Sequence, residues 1–155
     1  MKVHIELAVN GVDYQLHVDP RLTVLEVLRE QMLLTGTKEA CGVGECGTCV
    51  VLADGAPVTS CLVLASDADG AAIETVEGLA ADGELTDVQQ AFVNTGAFQC
   101  GFCTPAMVLT VTAMLRKDND PDIEEVKKVL GGILCRCGAY PKILEAVTEI
   151  KGVGK

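Results

Sequence analysis

Apolar and polar residues alternate over Val3, Ile5, Leu7 and Val9, with His4 and Glu6 between them. They alternate again over Val12, Tyr14, Leu16 and Val18, with Asp13, Gln15 and His17 between. A period of two marks a strand with one buried face. Asn10-Gly11 separates the runs and suits a type I′ turn, whose central residues need φ > 0, so residues 3–18 predict a β-hairpin. The period then changes. Thr23-x-x-Glu26 is a capping box, in which hydroxyl and carboxylate each satisfy an N–H that a helix start leaves free. Val24, Leu25, Val27, Leu28, Met32 and Leu33 follow, predicting a helix that ends near Gly36. Val50-Val51-Leu52 and Val58 flank a turn at Asp54-Gly55, and Ile73 to Val76 reads as a further short strand. Four or five strands with one crossing helix make a β-grasp, expected over residues 1–78.

Residues 66–72 and 81–84 are small and polar and read as linkers. Beyond them the pattern is helical. Thr86-x-x-Gln89 opens a helix through Asn94, which Gly96 ends. Thr104-Pro105 starts a second, with proline in the first turn where its missing N–H costs nothing. From Ala106 to Leu115 that helix is almost wholly apolar, so it is expected to be buried. Asp120-Pro121 starts a third, with Ile123, Val126, Val129 and Leu130 on one face and Glu124, Glu125, Lys127 and Lys128 elsewhere. Tyr140-Pro141 starts a fourth, with Ile143, Leu144, Val147 and Ile150 inward. Four helices with short joints predict a compact four-helix bundle over residues 79–155. The fold class is α+β, in two small domains.

Charge and composition narrow the functions. Lys and Arg number 12 against 22 Asp and Glu, a net charge of −10, and a nucleic-acid or anionic-membrane partner needs a basic face. No apolar run approaches the ~18 residues of a membrane span, so no membrane insertion is expected. The start, MKVHIELAVNG, lacks the apolar core of a secretory leader, which points to the cytoplasm. No P-loop occurs, and the one G-x-G-x-x-G match, Gly42 to Gly47, lies inside a cysteine-containing loop and not in a strand-to-helix dinucleotide turn, so the chain itself is not expected to hold NAD or FAD. Its two histidines, His4 and His17, sit on the polar face of the hairpin, and its carboxylates are scattered. No acid–base constellation emerges, and no catalytic residue is assigned.

The eight cysteines carry the chemistry. Cys41, Cys46, Cys49 and Cys61 read C-x4-C-x2-C-x11-C, and Cys100, Cys103, Cys135 and Cys137 read C-x2-C-x31-C-x1-C. A disulfide framework fits an even count, but cytosolic thiols stay reduced, and Cys135 and Cys137 are too close in sequence to bridge comfortably. Two structural zinc sites would also use eight cysteines, yet a zinc ribbon pairs two C-x2-C knuckles, unlike the four- and one-residue gaps here. C-x4-C-x2-C followed by a later Cys is instead the plant-type [2Fe–2S] spacing. Gly42, Gly44 and Gly47, and at the second set Gly101 and Gly138, suit a loop wrapped tightly round sulfur with N–H groups inward. At the second set Cys100 and Cys103 precede the helix at Pro105, and Cys135 and Cys137 precede the helix at Pro141. Each pair therefore meets the free N–H groups and positive dipole end of a helix. Two domains of ~75 residues sit near the limit for folding on a hydrophobic core alone. Iron-free protein is accordingly expected to be poorly folded, and a cooperative melt with full helical circular dichroism after iron removal would contradict this.

The runs CGVGECGTCVV, SCL, VQQAF, QCGFCTPAM and GGILCRCGAYPKI resemble the iron–sulfur subunit of the molybdenum hydroxylases, relatives of xanthine dehydrogenase, aldehyde oxidoreductase, carbon monoxide dehydrogenase and isoquinoline oxidoreductase. The resemblance covers essentially the whole chain. It implies an N-terminal β-grasp plant-type ferredoxin domain and a C-terminal four-helix [2Fe–2S] domain. It implies that Cys41, Cys46, Cys49 and Cys61 hold one cluster, and Cys100, Cys103, Cys135 and Cys137 the other. It further implies that Gln99 contacts molybdopterin on a large catalytic subunit, and that the sulfur of Cys137 approaches the pterin. Electrons would leave that subunit through the helical-domain cluster, then the β-grasp cluster, to FAD on a medium subunit or to a cytochrome. The substrate class implied is an aldehyde, an N-heteroaromatic compound or a purine; a free-standing two-cluster ferredoxin serving several enzymes is the alternative. Three places depart from the common pattern: Pro105-Ala106-Met107 for PGM, Gly131-Gly132-Ile133 where relatives carry GN, and Cys135-Arg136-Cys137-Gly138-Ala139-Tyr140 for CRCTGY. The last looks more like the aldehyde and isoquinoline or nicotinate branch, and all eight cysteines are intact.

Overall fold

The computed structural model describes residues 2–153, with side chains through residue 150; Met1, Gly154 and Lys155, the outer ends of the two expected domains, lie outside the described residues. Strands β1 (Val3–Val9) and β2 (Val12–Val18) form the expected hairpin, in register from Val3 opposite Val18 to Val9 opposite Val12. Asn10 and Gly11 take φ of 52° and 78°, as a type I′ turn requires. β3 (Val50–Ala53), β4 (Ala56–Thr59) and β5 (Ala72–Glu74) complete a sheet in the order β2-β1-β5-β3-β4. Only the β1–β5 pair is parallel. β2 is an edge strand, and this corrects its expected burial: Val12 and Tyr14 are exposed, while Ile5, Leu7 and Val9 of β1 are buried.

The crossing helix is shorter than the sequence suggests. Thr23 and Glu26 form the capping box, but a single α-turn, α1 (Val24–Glu26), passes into a wider π-turn over Val27–Gln31. The chain then leaves through Leu33, at φ 59° and 75% exposed, not through an inward Leu33 and a stop near Gly36. The Arg29 guanidinium donates to the carbonyl of Thr37 at 2.7 Å, so the early stop feeds the chain into the first cysteine loop.

Residues 66–72 are no linker. Ala65 and Ala68 are buried, Gly70 N–H donates to the Glu6 carbonyl at 2.7 Å, and Asp69 accepts from Glu6 N–H at 2.7 Å. Small residues are present there because the segment packs against β1. The exposed turn at 81–84 does connect the sheet to the helices. α2 (Asp87–Asn94), α3 (Thr104–Lys117), α4 (Ile123–Leu130) and α5 (Tyr140–Val153) follow. α2 packs on α5 and α3, and α4 on α3 and α5. α4 begins at Ile123, after the extended Asp122, and not at Asp120-Pro121. Val129 is exposed rather than part of the inward face.

Two cores meet at β3. Val51 belongs to the core of Ile5, Leu7, Val27, Leu28 and Ile73. Val50 and Leu52 belong to the core of Phe92, Met107, Leu109, Leu130 and Ile143. Alternate side chains of one strand thus face α1 on one side and the bundle on the other, which is why this strand reads as an unbroken apolar run.

Candidate metal centres

The first set of cysteines lies on the loop from Thr37 to Cys49 and on the short 3-10 turn Ser60–Leu62. Cys49 and Cys61 pack together beside Leu25, Cys41 sits beside Cys46, and Cys41 is also near enough to Cys61 for their charges to act on each other. The N–H of Val43 points at Cys41 Sγ at 3.5 Å. Together with Cys46 and further N–H groups of the loop, it brings the Cys41 thiol down to about 7. Burial, then Cys49, pushes Cys61 up to about 11 against a donation from Gly44 N–H. The five glycines singled out above all take positive φ. Gly47 shows why one of them must be glycine, since a Cβ there would run into the Gly132 carbonyl, a backbone atom that cannot rotate away.

The second set is split between two helix starts. Cys103 is the residue before α3, and Cys135 and Cys137 lie just before α5. Cys100 sits beside Cys137 and Cys103 beside Cys135, and Cys100 is also near enough to Cys103 and Cys135 for charge to act between them. Cys100 is lowered by Phe102 N–H and then by Cys137. Burial, then Cys135, pushes Cys103 up to about 12. At Cys135 burial pulls upward, but the N–H of Ala139, 3.4 Å from Sγ, the Cys103 thiol and the N–H groups of Cys137 and Gly138 outweigh it, and its pKa falls. Depressed and elevated thiols side by side, each met by N–H donors, form a pocket built for thiolate sulfur.

Each set therefore brings its four thiols together as two neighbouring pairs, with charge acting between the pairs as well. A single zinc ion draws its four ligands round one point. Two irons, each taking two thiolates, ask for paired thiols instead. The donor set, the pairing and the inward N–H groups fit that requirement.

The two sites are in contact. Leu134 N–H donates to the Cys46 carbonyl at 2.9 Å. A cavity of about 580 Å³ is lined by Cys46 and Thr48 on one side and by Cys100, Cys103 and Cys135 on the other. Gln99 is exposed, and its side-chain nitrogen donates to the Cys137 carbonyl at 2.9 Å. His4 and His17 are exposed cross-strand neighbours, far in the sheet from either set.

Four supporting residues escaped the sequence reading. Thr48 places its hydroxyl 3.2 Å from Cys46 Sγ. Ser60 donates its hydroxyl to the Cys49 carbonyl at 2.7 Å. Arg29 anchors the loop entrance, and Tyr140 holds the backbone around Cys135. Only Tyr140 carried a signal, its place directly after the CRCGA run.

Residues 7–80 match the sequence model of the 2Fe-2S iron-sulfur cluster binding domain, and residues 75–148 that of the [2Fe-2S] binding domain. The chain is 47% identical over 149 residues to the xanthine dehydrogenase iron-sulfur-binding subunit of Escherichia coli O157:H7, covering 95% of this chain and 93% of that one. It is 47% identical over 146 residues to the nicotinate dehydrogenase small FeS subunit of Eubacterium barkeri, covering 94% and 93%. Its fold superposes on a chain of quinoline 2-oxidoreductase from Pseudomonas putida 86 with a TM-score of 0.94 and 42% identity, over 98% of this chain and 95% of that one. On aldehyde oxidoreductase from Desulfovibrio desulfuricans the TM-score is 0.92 and the identity 36%, covering 97% of this chain and 17% of that one. Among the described residues no helix is long and apolar enough to cross a membrane.

Proposed function

Because this chain belongs to the iron–sulfur subunits of the molybdenum hydroxylases, we propose that its two cysteine sets are the ligand sets of its two [2Fe–2S] clusters. Cys41, Cys46, Cys49 and Cys61 hold one, and Cys100, Cys103, Cys135 and Cys137 the other. The chain is the non-catalytic, electron-transfer subunit of a molybdenum-containing oxidoreductase. A [2Fe–2S] cluster accepts and gives up one electron at a time, at a potential set by hydrogen bonds to its sulfurs and by burial. The observation that carries the ligand assignment is that the fold gathers the cysteines of each set, Cys49 against Cys61 and Cys100, Cys103 and Cys135 round one cavity, with backbone N–H groups aimed at the Cys41 and Cys135 sulfurs. The chain's own part is to present the thiolates, donate N–H groups to them and exclude water from Cys46, Cys49, Cys61 and Cys103, which are all buried. A domain boundary at 78/79 belongs to the same reading, supported by the 75–80 overlap of the two matched segments.

The partner is a molybdopterin-binding catalytic subunit, which oxidises an aldehyde, an N-heteroaromatic compound or a purine. Gln99 and Cys137 are the residues nearest its pterin in this reading. Their support is that the Gln99 amide is tied to the Cys137 backbone at the protein surface. FAD on a further subunit, or a cytochrome, takes the electrons. A free-standing ferredoxin is disfavoured by the near-complete overlap with dedicated subunits. Purified native complex should hold about four irons and about four sulfides per chain of this type, and two distinct EPR signals on reduction. Molybdenum should co-purify. A colourless, zinc-loaded chain would sink the assignment.

A further inference from the structure

We propose that Tyr140 is a positioning residue which fixes the Cys135 arm of the helical-domain site and, through it, the contact between the two cysteine sites. The inference rests on the two-cluster reading above. The phenol oxygen accepts the N–H of Cys135 at 2.9 Å and donates its own proton to the carbonyl of Ile133 at 2.8 Å. Both partners are backbone, so the phenol closes a ring round Leu134. The N–H of Leu134, in the middle of that ring, donates to the Cys46 carbonyl. Three consecutive residues are thereby pinned in turn by one side chain and by the other cysteine loop.

The N–H groups of Gly131, Gly132 and Ile133 close the end of α4 onto the carbonyls of Lys127, Val129 and Leu130, and from Ile133 to Cys135 the phenol and the Cys46 carbonyl take over. Gly131 and Gly132 are exposed and carry no side chain, and the side chain of Leu134 is 58% exposed. Only Ile133 is buried. From the opposite side the arm meets Gly47, where an added Cβ would run into the Gly132 carbonyl and come within 3.0 Å of Ile133 Cα. An arm clamped from both sides has one position. Releasing the phenol frees an N–H and a carbonyl that are only partly exposed, and both then look for water. The arm moves, carrying Cys135 and the Leu134 N–H with it. Through-bond and through-space coupling between the two sites falls with that contact.

The test compares wild-type holoprotein with Tyr140→Phe and with Thr86→Ala, which removes the cap of α2 and touches neither cysteine set. Iron content, EPR spectra at partial and full reduction, the two midpoint potentials and hydrogen exchange of residues 132–135 are measured. In Tyr140→Phe the helical-site potential and line shape should change, and the spin–spin splitting at full reduction should weaken. Exchange at 132–135 should quicken roughly tenfold, the loss expected for about one hydrogen bond. The β-grasp signal should keep its wild-type g-values and potential, changing only in the splitting it shares with the helical site at full reduction. Loss of iron confined to the helical site also supports the proposal. Wild-type splitting, potentials and exchange in Tyr140→Phe would overturn it, as would the same changes in Thr86→Ala. If wild-type protein lacks two signals, the two-cluster reading fails, and the exchange rates at 132–135 still decide the latch.

Discussion

Replacing Cys103 by alanine is expected to remove one of the two EPR signals and about half of the iron, leaving about two irons per chain. Cys103 is the most demanding position of the helical set. It is buried at the start of α3, and without a metal its thiol is pushed up to about 12, so it is neutral. Burial of a thiolate there is tolerable only when the charge is shared with a cation. Alanine removes that ligand and leaves Cys135 with no thiol partner, so both members of one pair are lost together. The first set meets the second through the Leu134–Cys46 backbone hydrogen bond and the close approach of Gly47 to Gly132 and Ile133, none of which involves Cys103. The signal of the first set should therefore persist, without the splitting that a second reduced cluster imposes at full reduction. Iron analysis with EPR on the same sample checks this, and full iron content in Cys103→Ala would overturn the ligand assignment. Cys100→Ser should be milder, because Cys100 is exposed and a serine oxygen can take its place with water nearby.

The difference between these two cysteines shows what a sequence can carry. Spacing divides the eight into two sets because cluster loops are local, and C-x4-C-x2-C is legible in nine residues. The hairpin is legible for the same reason, since Asn10-Gly11 specifies the turn and a period of two specifies the face. Which thiol touches which is another matter. Cys103 meets Cys135 across 31 intervening residues, and only helix packing decides that α3 and α5 begin side by side. Burial of individual side chains is hidden in the same way. Leu33 and Val129 fit a helical stripe, but Leu33 has left the helix at positive φ and Val129 stands at its margin. The segment 66–72 looks like a linker because small residues serve both flexible joints and close packing, and here β1 lies against them. Backbone-to-backbone contacts leave no trace in residue types, so the Leu134–Cys46 bond was unreadable. Even so, Gly47, which makes room for it, stood in plain view.

Gly47 also offers the sharpest test of that contact. Gly47→Ala is expected to cost about 2–5 kcal/mol, combining the strain of a left-handed alanine with overpacking against a well-filled neighbour. That is a large share of the roughly 5–15 kcal/mol that holds a domain together. The strain arises at φ 68°. The overpacking arises because the obstructing atoms, Gly132 O and Ile133 Cα, are backbone and cannot rotate away. Gly55 separates the two contributions. It sits at φ 80° in the β3–β4 turn with nothing within 4 Å of its would-be Cβ, so Gly55→Ala carries the strain alone, about 1–2 kcal/mol. Denaturant melts of holoprotein should place Gly47→Ala well below Gly55→Ala. Only the former should alter the spin–spin splitting, because only there is the arm bearing Leu134 pushed off Cys46. Equal stabilities, or an unchanged splitting in Gly47→Ala, would mean that the two loops do not press on each other, and the two sites would then have to communicate by some other route.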